Sequence, residues 1–438
     1  MRWIRNAALL FLAVISAELP ALAQTTVKGA SPLPAENALN REGLTRRWWG
    51  FATINSKRDK VLYLTVDEHT LFVQTSAGII TAFDSETGKH LWSRPVGPPD
   101  RAVFRATLND DLLFVVNGLR LFAVQKTTGG IVWNITLPGQ PSSSPAADSE
   151  RVYVGFLDGS LYAFDLALIR DLNSKGRLTN YSKQAVAWRF QTSEPIAIPA
   201  VPEGKLVAFA SRNGSLYSVG AQDHNLIFQF ETDAALSAPI STYRNSLLLA
   251  SEDTNFYQLN LVNGRPGWMF TAGLVIRKAP IVIDDEVYLL PERGHLHKIS
   301  AETGKEYWRT PGLDAFLAAS STNVYAMGHN NTLNVLSRST GQVQGRLPLG
   351  LFSRYLTNDR SDRIYMATES GVVICLHELR RDFPRYHLYP ERQPILPDFA
   401  PDGYESEPAP GAEVGPEGEP EDGAMPEDSP FQESGTEN

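Results

Sequence analysis

Cysteine is almost missing from this sequence of 438 residues, in which Cys375 is the only one. A lone cysteine cannot form a disulfide within its own chain, so burial of apolar side chains has to stabilise the fold. Cys375 lies in the apolar run VVICL. Because unpaired cysteines are among the most frequently buried residues, the run predicts a small core side chain, and a reactive thiol is the less favoured alternative.

A large excess of positive charge is missing as well. The formal net charge is -9, but residues 401–438 contain three Asp and nine Glu without Lys or Arg, so removing their -12 leaves +3 on residues 1–400. This near-neutral remainder lacks the broad electropositive surface that nucleic-acid binding requires, and we expect no nucleic-acid partner. The acidic, Pro-rich segment predicts a disordered tail, which is either a solubilising extension or a docking tail for a basic partner.

Long apolar runs are absent beyond the N-terminus. There, Arg2 and Arg5 precede an apolar run over residues 7–17 and a small-x-small pattern at 21–23. This order predicts a signal peptide over residues 1–23, and therefore an exported protein of a bacterial periplasm or cell envelope. We expect no transmembrane segment in the mature chain and no lipid anchor, because no cysteine follows the cleavage site. Residues 24–43, which contain Pro32 and Pro34, predict a linker.

What the chain does have is a repeated hairpin, best seen in RVYVGFLDGSLYAFD over residues 151–165. Two alternating runs flank an Asp-Gly pair that suits a two-residue loop. Eight copies follow one another in steps of 40, 41, 55, 40, 40, 37 and 40 residues. Their turns fall at Gly78, Gly118, Gly159, Gly214, Thr254, Gly294, Asn331 and Gly371. A period near forty residues indicates one supersecondary unit per copy.

Each unit carries further marks of strand structure. A Thr-Gly or similar turn follows the hairpin and leads to a strand that contains Trp. A short run, often led by Pro, precedes the hairpin. Four strands per unit predict an all-β fold, an eight-bladed β-propeller over residues 44–378, with seven blades as the alternative. The eighth copy has no Trp strand of its own, but Trp48 lies 44 residues before Trp92. We therefore expect the N-terminal strand to complete the last blade. Residues 379–438 are expected to form an extension that follows the propeller.

The pattern DGxLYAFDxxTGxxxW resembles the pyrroloquinoline-quinone-type propeller repeat. It is seen at residues 158–165 and from Ala82 through Thr87-Gly88 to Trp92. The resemblance implies that the Trp docks between adjacent blades, a structural role for Trp48, Trp92, Trp133, Trp188, Trp268 and Trp308. That family includes quinoprotein dehydrogenases and the propeller subunit of the outer-membrane β-barrel assembly machinery. The chain is most similar to the assembly subunit, without its lipid-anchor cysteine.

For an enzyme, the resemblance would imply bound pyrroloquinoline quinone and calcium beside an adjacent pair of cysteines. One cysteine cannot supply that pair, so we expect no cofactor and no catalytic residues, with a quinone-dependent dehydrogenase as the alternative. His295 and His297 lie two apart on a strand and could be zinc ligands, but a pair of outward surface histidines is favoured. No metal site is therefore predicted.

Two departures from the repeat are candidates for partner binding. Loop drift without a function is an equal alternative for the first, and solvated rim charges are the favoured interpretation of the second. The third copy has an insertion within residues 166–184 that contains Arg170, Lys175 and Arg177, and residues 167–173 suit a short helix. The loops that enter the innermost strands contain a second set, Arg105, Arg277, Lys278 and Arg354. If the repeats align, these cations approach one channel mouth, although Glu194 and Asp314 could cancel them and leave ordinary rim charges.

Together these features favour a non-catalytic scaffold for protein-protein interaction. The partner would be another envelope protein, in outer-membrane protein assembly or envelope organisation, and the chain would be a monomer within a complex. A propeller that binds cell-surface glycans is a further alternative.

Overall fold

The computed structural model describes residues 33–387, which form eight four-stranded antiparallel sheets. In blades 1 to 7 the strands pair in chain order, from the innermost strand to the outermost. Blade 1 contains β2 (Val61–Val66), β3 (Thr70–Thr75), β4 (Ile79–Asp84) and β5 (His90–Pro95); blade 2 contains β6 (Thr107–Leu108), β7 (Leu112–Asn117), β8 (Arg120–Gln125) and β9 (Ile131–Thr136); blade 3 contains β10 (Ala146–Ala147), β11 (Arg151–Gly155), β12 (Ser160–Asp165) and β13 (Val186–Gln191); blade 4 contains β14 (Val201–Glu203), β15 (Leu206–Ala210), β16 (Ser215–Gly220) and β17 (Leu226–Glu231).

The second half of the ring repeats this order. Blade 5 contains β18 (Ser241–Tyr243), β19 (Ser246–Ala250), β20 (Asn255–Asn260) and β21 (Pro266–Thr271); blade 6 contains β22 (Ile281–Ile283), β23 (Glu286–Leu289), β24 (His295–Ser300) and β25 (Glu306–Pro311); blade 7 contains β26 (Leu313–Ala319), β27 (Asn323–Gly328), β28 (Thr332–Ser337) and β29 (Val343–Pro348); blade 8 contains β30 (Phe352–Tyr355), β31 (Ile364–Thr368), β32 (Val372–Glu378) and β1 (Leu44–Phe51). The eight-bladed propeller is confirmed, and the seven-bladed alternative is wrong.

The N-terminal strand closes the ring as predicted. Strand β1 pairs antiparallel with β32, from Leu44 opposite Glu378 to Phe51 opposite Val372. One sheet is thus built from the two ends of the repeat region, so blade 8 cannot form until both ends have been brought together.

The core lies between the blades. The second and third strands are almost continuously buried, because each packs against a neighbouring blade on both faces. Outermost strands alternate instead: Trp92 is buried while Leu91 beside it is 40% exposed. Cys375 is completely buried in β32, so the predicted core position is confirmed.

A short helix, α1 (Glu36–Arg41), lies within the segment expected to be a linker. Its Leu39 is completely buried in the core shared by blades 7 and 8. Next to the helix, Glu42 accepts a hydrogen bond from the Arg346 amide at 3.1 Å and fills the space in front of Gly345, where most copies have Trp. The expectation of an irregular linker missed this helix because its two apolar residues, Ala38 and Leu39, are adjacent and show no helical period.

The insertion in blade 3 contains α2 (Leu166–Ser174), close to the helix predicted over 167–173, and a 3₁₀ turn over Ser182–Ala185. Among residues 33–387, no helix is long and apolar enough to cross a bilayer. The predicted signal peptide and the acidic tail lie outside the described residues.

Candidate functional site

The propeller has two faces that carry different loops. In antiparallel blades, the loops between second and third strands and those between blades emerge on one side, here called the hairpin face. The loops between first and second strands and the Thr-Gly turns emerge on the other, here called the turn face. The innermost strands surround a central channel that joins the faces.

A cavity of ≈ 1190 Å³ occupies the channel. Its wall includes five cations, and four carboxylates face the same space. The cations are Arg105, Arg244, Arg277, Lys278 and Arg360, and the acids are Glu203, Asp284, Asp285 and Asp359. The channel is therefore polar with mixed charge, and its properties depend on which of these groups are already paired.

At the hairpin face, Arg277 bridges two blades. Its guanidinium donates to Glu252 from Nε and Nη2, at 2.9 and 3.1 Å, and to Glu292 from Nη1 at 2.8 Å. Glu252 belongs to the hairpin of blade 5 and Glu292 to that of blade 6. The hydrogen bond from Arg277 lowers the pKa of Glu252, and the two glutamates raise the pKa of Arg277. This loop is thus set in position by charge on both sides.

Two neighbours complete this mouth. Lys278 Nζ donates to the Asp314 carbonyl oxygen, and the Asp314 carboxylate lies 2.9 Å from His329 Nδ1. Leu274, three residues before Arg277, is 43% exposed and would be touched by any side chain placed at Gly294. This mouth therefore presents an exposed apolar side chain beside charges that are held in place.

Arg105 points into the channel. Its Nη2 donates to the Leu64 carbonyl oxygen at 3.0 Å, across from blade 2 to blade 1. The Arg105 side chain reaches the solvent in the channel, but the channel walls partly desolvate it. This desolvation lowers the pKa of Arg105, and the nearby Asp359 opposes the shift. Since the ordinary arginine value is far above neutral pH, the group stays charged.

Arg354 lies on β30 and pairs with Glu369 at 2.6 Å. It is not among the residues lining the cavity, although the next residue, Tyr355, is. Of the four cations predicted at one channel mouth, the structure therefore brings Arg105, Arg277 and Lys278 to the channel wall and leaves Arg354 beside it.

The turn-face mouth is crossed by residues 380–387, called here the C-terminal strap. Tyr386 forms an antiparallel bridge with Ser361 of blade 8, and Arg385 Nη2 lies 3.3 Å from Asp284 Oδ2 of blade 6. The Tyr386 hydroxyl donates to the Glu68 carbonyl oxygen of blade 1 at 3.4 Å. The strap thus connects blades that are not adjacent.

The strap ends in a histidine that faces the cavity. The His387 amide donates to the Arg360 carbonyl oxygen at 2.9 Å, but neither ring nitrogen has a hydrogen-bond partner among the described residues. Burial lowers the pKa of His387 to about 4, and Asp284 opposes that shift. The ring is therefore neutral at pH 7. No repeat pattern pointed to this residue, because the strap follows the last repeat.

The predicted insertion residues lie elsewhere. Arg170, Lys175 and Arg177 are exposed on the turn face, at the outer rim between blades 2 and 3. Lys175 pairs with Asp171 at 2.7 Å. The two predicted sets of partner-binding cations therefore belong to opposite faces and cannot form one site.

The Trp positions connect adjacent blades. The indole nitrogen donates to a backbone carbonyl of the next blade in the pairs Trp48 with Ser85, Trp92 with Lys126, Trp188 with Ala221, Trp268 with Ala301 and Trp308 with Arg338. Trp133 instead packs in the core that contains Leu166 and Ile169 of α2. The insertion thus takes the place of the turn that would have received the Trp133 indole.

The histidine pair differs from the surface pair that was expected. His295 is exposed, but His297 is buried, because Phe270 of blade 5 packs against its ring. The Nδ1 atom of His297 lies 2.8 Å from Glu306 Oε1. Burial lowers the pKa of His297. Within residues 33–387, no group of three His, Cys, Asp or Glu side chains is arranged to hold a metal ion.

Comparison with known families gives a match over most of the propeller. The model of the family described as outer membrane protein assembly factor BamB matches residues 76–171 and 174–378. A relative of that name from Legionella pneumophila (strain Paris) is 26% identical over 216 residues, which are 45% of this chain and 51% of that protein. Another, from Shewanella oneidensis, is 22% identical over 327 residues, 66% of this chain and 78% of that protein. The chain thus spans about half the length of the first relative.

Solved structures share the fold. The crystal structure of BamB from Moraxella catarrhalis superposes with a TM-score of 0.60 at 14% identity, covering 76% of this chain and 97% of that one. The computationally designed Ika8 protein has a TM-score of 0.58, also at 14% identity, covering 73% and 96%. A designed protein with this fold illustrates that the fold alone does not specify a function.

Proposed function

The chain belongs to the family described as outer membrane protein assembly factor BamB, and from this membership we propose that it is a non-catalytic propeller scaffold in outer-membrane protein assembly. It would work after export, in the periplasm or envelope of a bacterium, and bind another envelope protein. The observation that carries the proposal is the family match over residues 76–171 and 174–378, which include both channel mouths.

The hairpin-face mouth is the proposed docking site. Arg277 is fixed between Glu252 and Glu292, so little side-chain entropy is lost when a partner binds beside it. Leu274 offers apolar area next to these charges. The turn-face mouth is a poorer choice, because the C-terminal strap already crosses it.

We propose that no quinone cofactor takes part. The adjacent cysteine pair that the resemblance to quinoprotein dehydrogenases implies is missing, and Cys375 is buried in β32. A polar channel in which Arg105, Arg244 and Arg277 are already hydrogen-bonded suits a rigid framework.

The test is complementation in the bacterium that carries the gene. Deletion should lower the amounts of β-barrel proteins in isolated outer membranes, measured by quantitative mass spectrometry. The wild-type gene should restore them, whereas Leu274→Asp combined with Arg277→Ala should not, because a charge would replace the apolar contact.

A matched control is Leu226→Asp on the outermost strand of blade 4, where the leucine is 51% exposed and far from the channel. It should complement fully. Unchanged outer-membrane protein levels after deletion would contradict the proposed function. Equal complementation by both variants would contradict the docking site, and dye-linked oxidation with added pyrroloquinoline quinone and calcium would contradict the non-catalytic role.

A further inference from the structure

Residues 166–185 interrupt blade 3 at the turn face, run along the outer edge of blade 2 to the hairpin-face end of β9, and are firmly attached to the propeller. The Asp165 carboxylate caps α2 by accepting from the Leu168 amide at 2.8 Å, and Ile169 is completely buried. The far end is attached as well: the Thr136 amide of β9 donates to the Asn180 carbonyl oxygen at 2.7 Å, and Thr136 forms a parallel bridge with Tyr181. The insertion thus extends the edge of blade 2 by one residue pair.

The outward surface of this insertion is basic and partly apolar. It exposes four cations, and within residues 166–185 the only acid is Asp171. The cations are Arg170, Lys175, Arg177 and Lys183. Tyr181 is 75% exposed and Leu168 is 40% exposed. Because this chain segment lies outside the blade, a large flat partner could reach all of these side chains without touching the channel.

The cations here are held differently from those of the channel. Arg277 is fixed by two carboxylates, but among the described residues no carboxylate lies within ion-pair distance of Arg170, Arg177 or Lys183. Free, long side chains suit a surface whose charges move laterally, whereas recognition of a particular carboxylate favours preset geometry. Tyrosine suits the same surface, since its ring is apolar and its hydroxyl remains hydrated.

We propose that the insertion binds an anionic lipid surface through Arg170, Lys175, Arg177 and Lys183, with Tyr181 entering the headgroup region. This contact is separate from the proposed protein-docking mouth on the hairpin face. It would place the outer edge of blades 2 and 3 toward the membrane and leave the hairpin-face mouth accessible.

The test is co-sedimentation of the protein, expressed from the full sequence, with vesicles of phosphatidylglycerol and phosphatidylethanolamine. Wild-type protein should bind at low salt and be released by high salt. Replacing all four cations by Gln should weaken binding by a factor well above ten, because each Lys or Arg near an anionic surface contributes roughly fivefold. Tyr181→Ser should weaken it less, and vesicles of phosphatidylcholine alone should bind little wild-type protein.

The matched control replaces Lys57, Arg58, Lys60 and Arg101 by Gln, the same change in charge on exposed residues of the hairpin face. This variant should keep wild-type vesicle binding, and circular dichroism should show both variants folded. Equal losses in the two variants would overturn the proposal, since they would indicate nonspecific attraction. A parallel binding assay with polyglutamate tests for an acidic protein partner instead of a lipid surface. No binding of wild-type protein to the anionic vesicles, or binding to polyglutamate alone, would overturn the proposal as well.

Discussion

At the junction between blades 8 and 1, the Trp48 indole and the Tyr365 hydroxyl donate to the same Ser85 carbonyl oxygen, at 2.8 and 3.2 Å. The completely buried Arg363 pairs with Glu86 at 2.9 Å. Between blades 4 and 5, Phe228 stands in the Trp position and packs against Gly264, with no indole N–H to donate. The first junction is thus rich in polar contacts, and the second depends on apolar packing.

The difference reflects what each junction has to join. Nine residues, 232–240, connect blades 4 and 5. Residues 52–60 connect β1 of blade 8 to blade 1 in the same way, but the other three strands of blade 8 come from the far end of the repeat region, so that Arg363 and Glu86 are 277 positions apart. Closing a longer loop costs more conformational entropy. Contacts that offset this cost are therefore concentrated where the ring closes, and the continuous junction can tolerate a Phe.

The largest effect should come from the buried ion pair of the closing junction. Arg363→Ala should lower the free energy of unfolding by about 3–5 kcal/mol, because it leaves Glu86 partly buried without its partner. Arg363 also donates to the carbonyl oxygens of Arg381 and Asp382 in the strap region, which would lose these bonds. Urea denaturation measures the change.

The control is Arg244→Ala, since both side chains of the Arg244–Asp285 ion pair are exposed. This pair should contribute less than about 1 kcal/mol to the free energy of unfolding. Similar losses from the two variants would show that the closing junction is not special.

The turn glycine of the closing junction should come next. Gly88 has φ +69° and its α-carbon faces the Trp48 ring, so a methyl group there would overlap the ring. Gly88→Ala should cost about 2–5 kcal/mol, from a left-handed backbone and from overpacking. Gly176→Ala is the matched control, because Gly176 has φ +63° with open space around it. It should cost about 1–2 kcal/mol in thermal or urea unfolding, and an equal cost at Gly88 would argue against the ring contact.

Restoring the indole should strengthen the weaker junction. Phe228→Trp places a donor where the Leu261 carbonyl oxygen is the counterpart of Ser85, and should raise the free energy of unfolding by about 1 kcal/mol. The reciprocal Trp48→Phe should lower it by a similar amount. Hydrogen exchange of blade 5 amides would locate the gain, and a loss of stability in Phe228→Trp would show that the site is too small for an indole.

The smallest effect concerns the strap beside the closing junction. Burial lowers the pKa of His387 to about 4, so the unfolded histidine, with its ordinary value of about 6.5, binds protons first as the pH falls. Stability from the neutral ring is complete only well above pH 6.5 and should decline by about 1 kcal/mol by pH 6. Arg338 and Arg385 disfavour the charged His387 ring, whereas Asp284 favours it. Burial raises the pKa of the nearby Asp362, so protonation of that carboxyl favours the folded state at lower pH and opposes the loss from His387.

Limited proteolysis of the strap at decreasing pH measures this loss. His387→Gln should reduce the pH dependence without opening the ring. The part that remains is expected from His377, whose pKa is also lowered by burial and whose Nδ1 lies 2.9 Å from the Arg381 carbonyl oxygen of the strap. Protection that does not change between pH 7 and pH 6 would contradict the buried neutral ring.

The repeat made the fold predictable. Forty-residue periodicity, turn glycines and Trp positions are local signals that each blade carries separately, so eight copies gave the blade count and Trp48 indicated the closure. The docking mouth was only partly predictable: equivalent loops placed Arg277 and Lys278 together, but Glu252 and Glu292 gave no pattern because they pair across two blades.

The sequence by itself determined the number of blades, their strand order and the interruption of the third, because these follow from backbone preferences and apolar periodicity within each unit. The tertiary structure alone decided that α2 and the cations Arg277 and Lys278 belong to opposite faces. It also decided that Glu42, directly after α1, occupies the space in front of Gly345, that the strap crosses the turn-face mouth and that His387 is buried. Those contacts join residues far apart in the chain, and their partners become neighbours only when the ring closes.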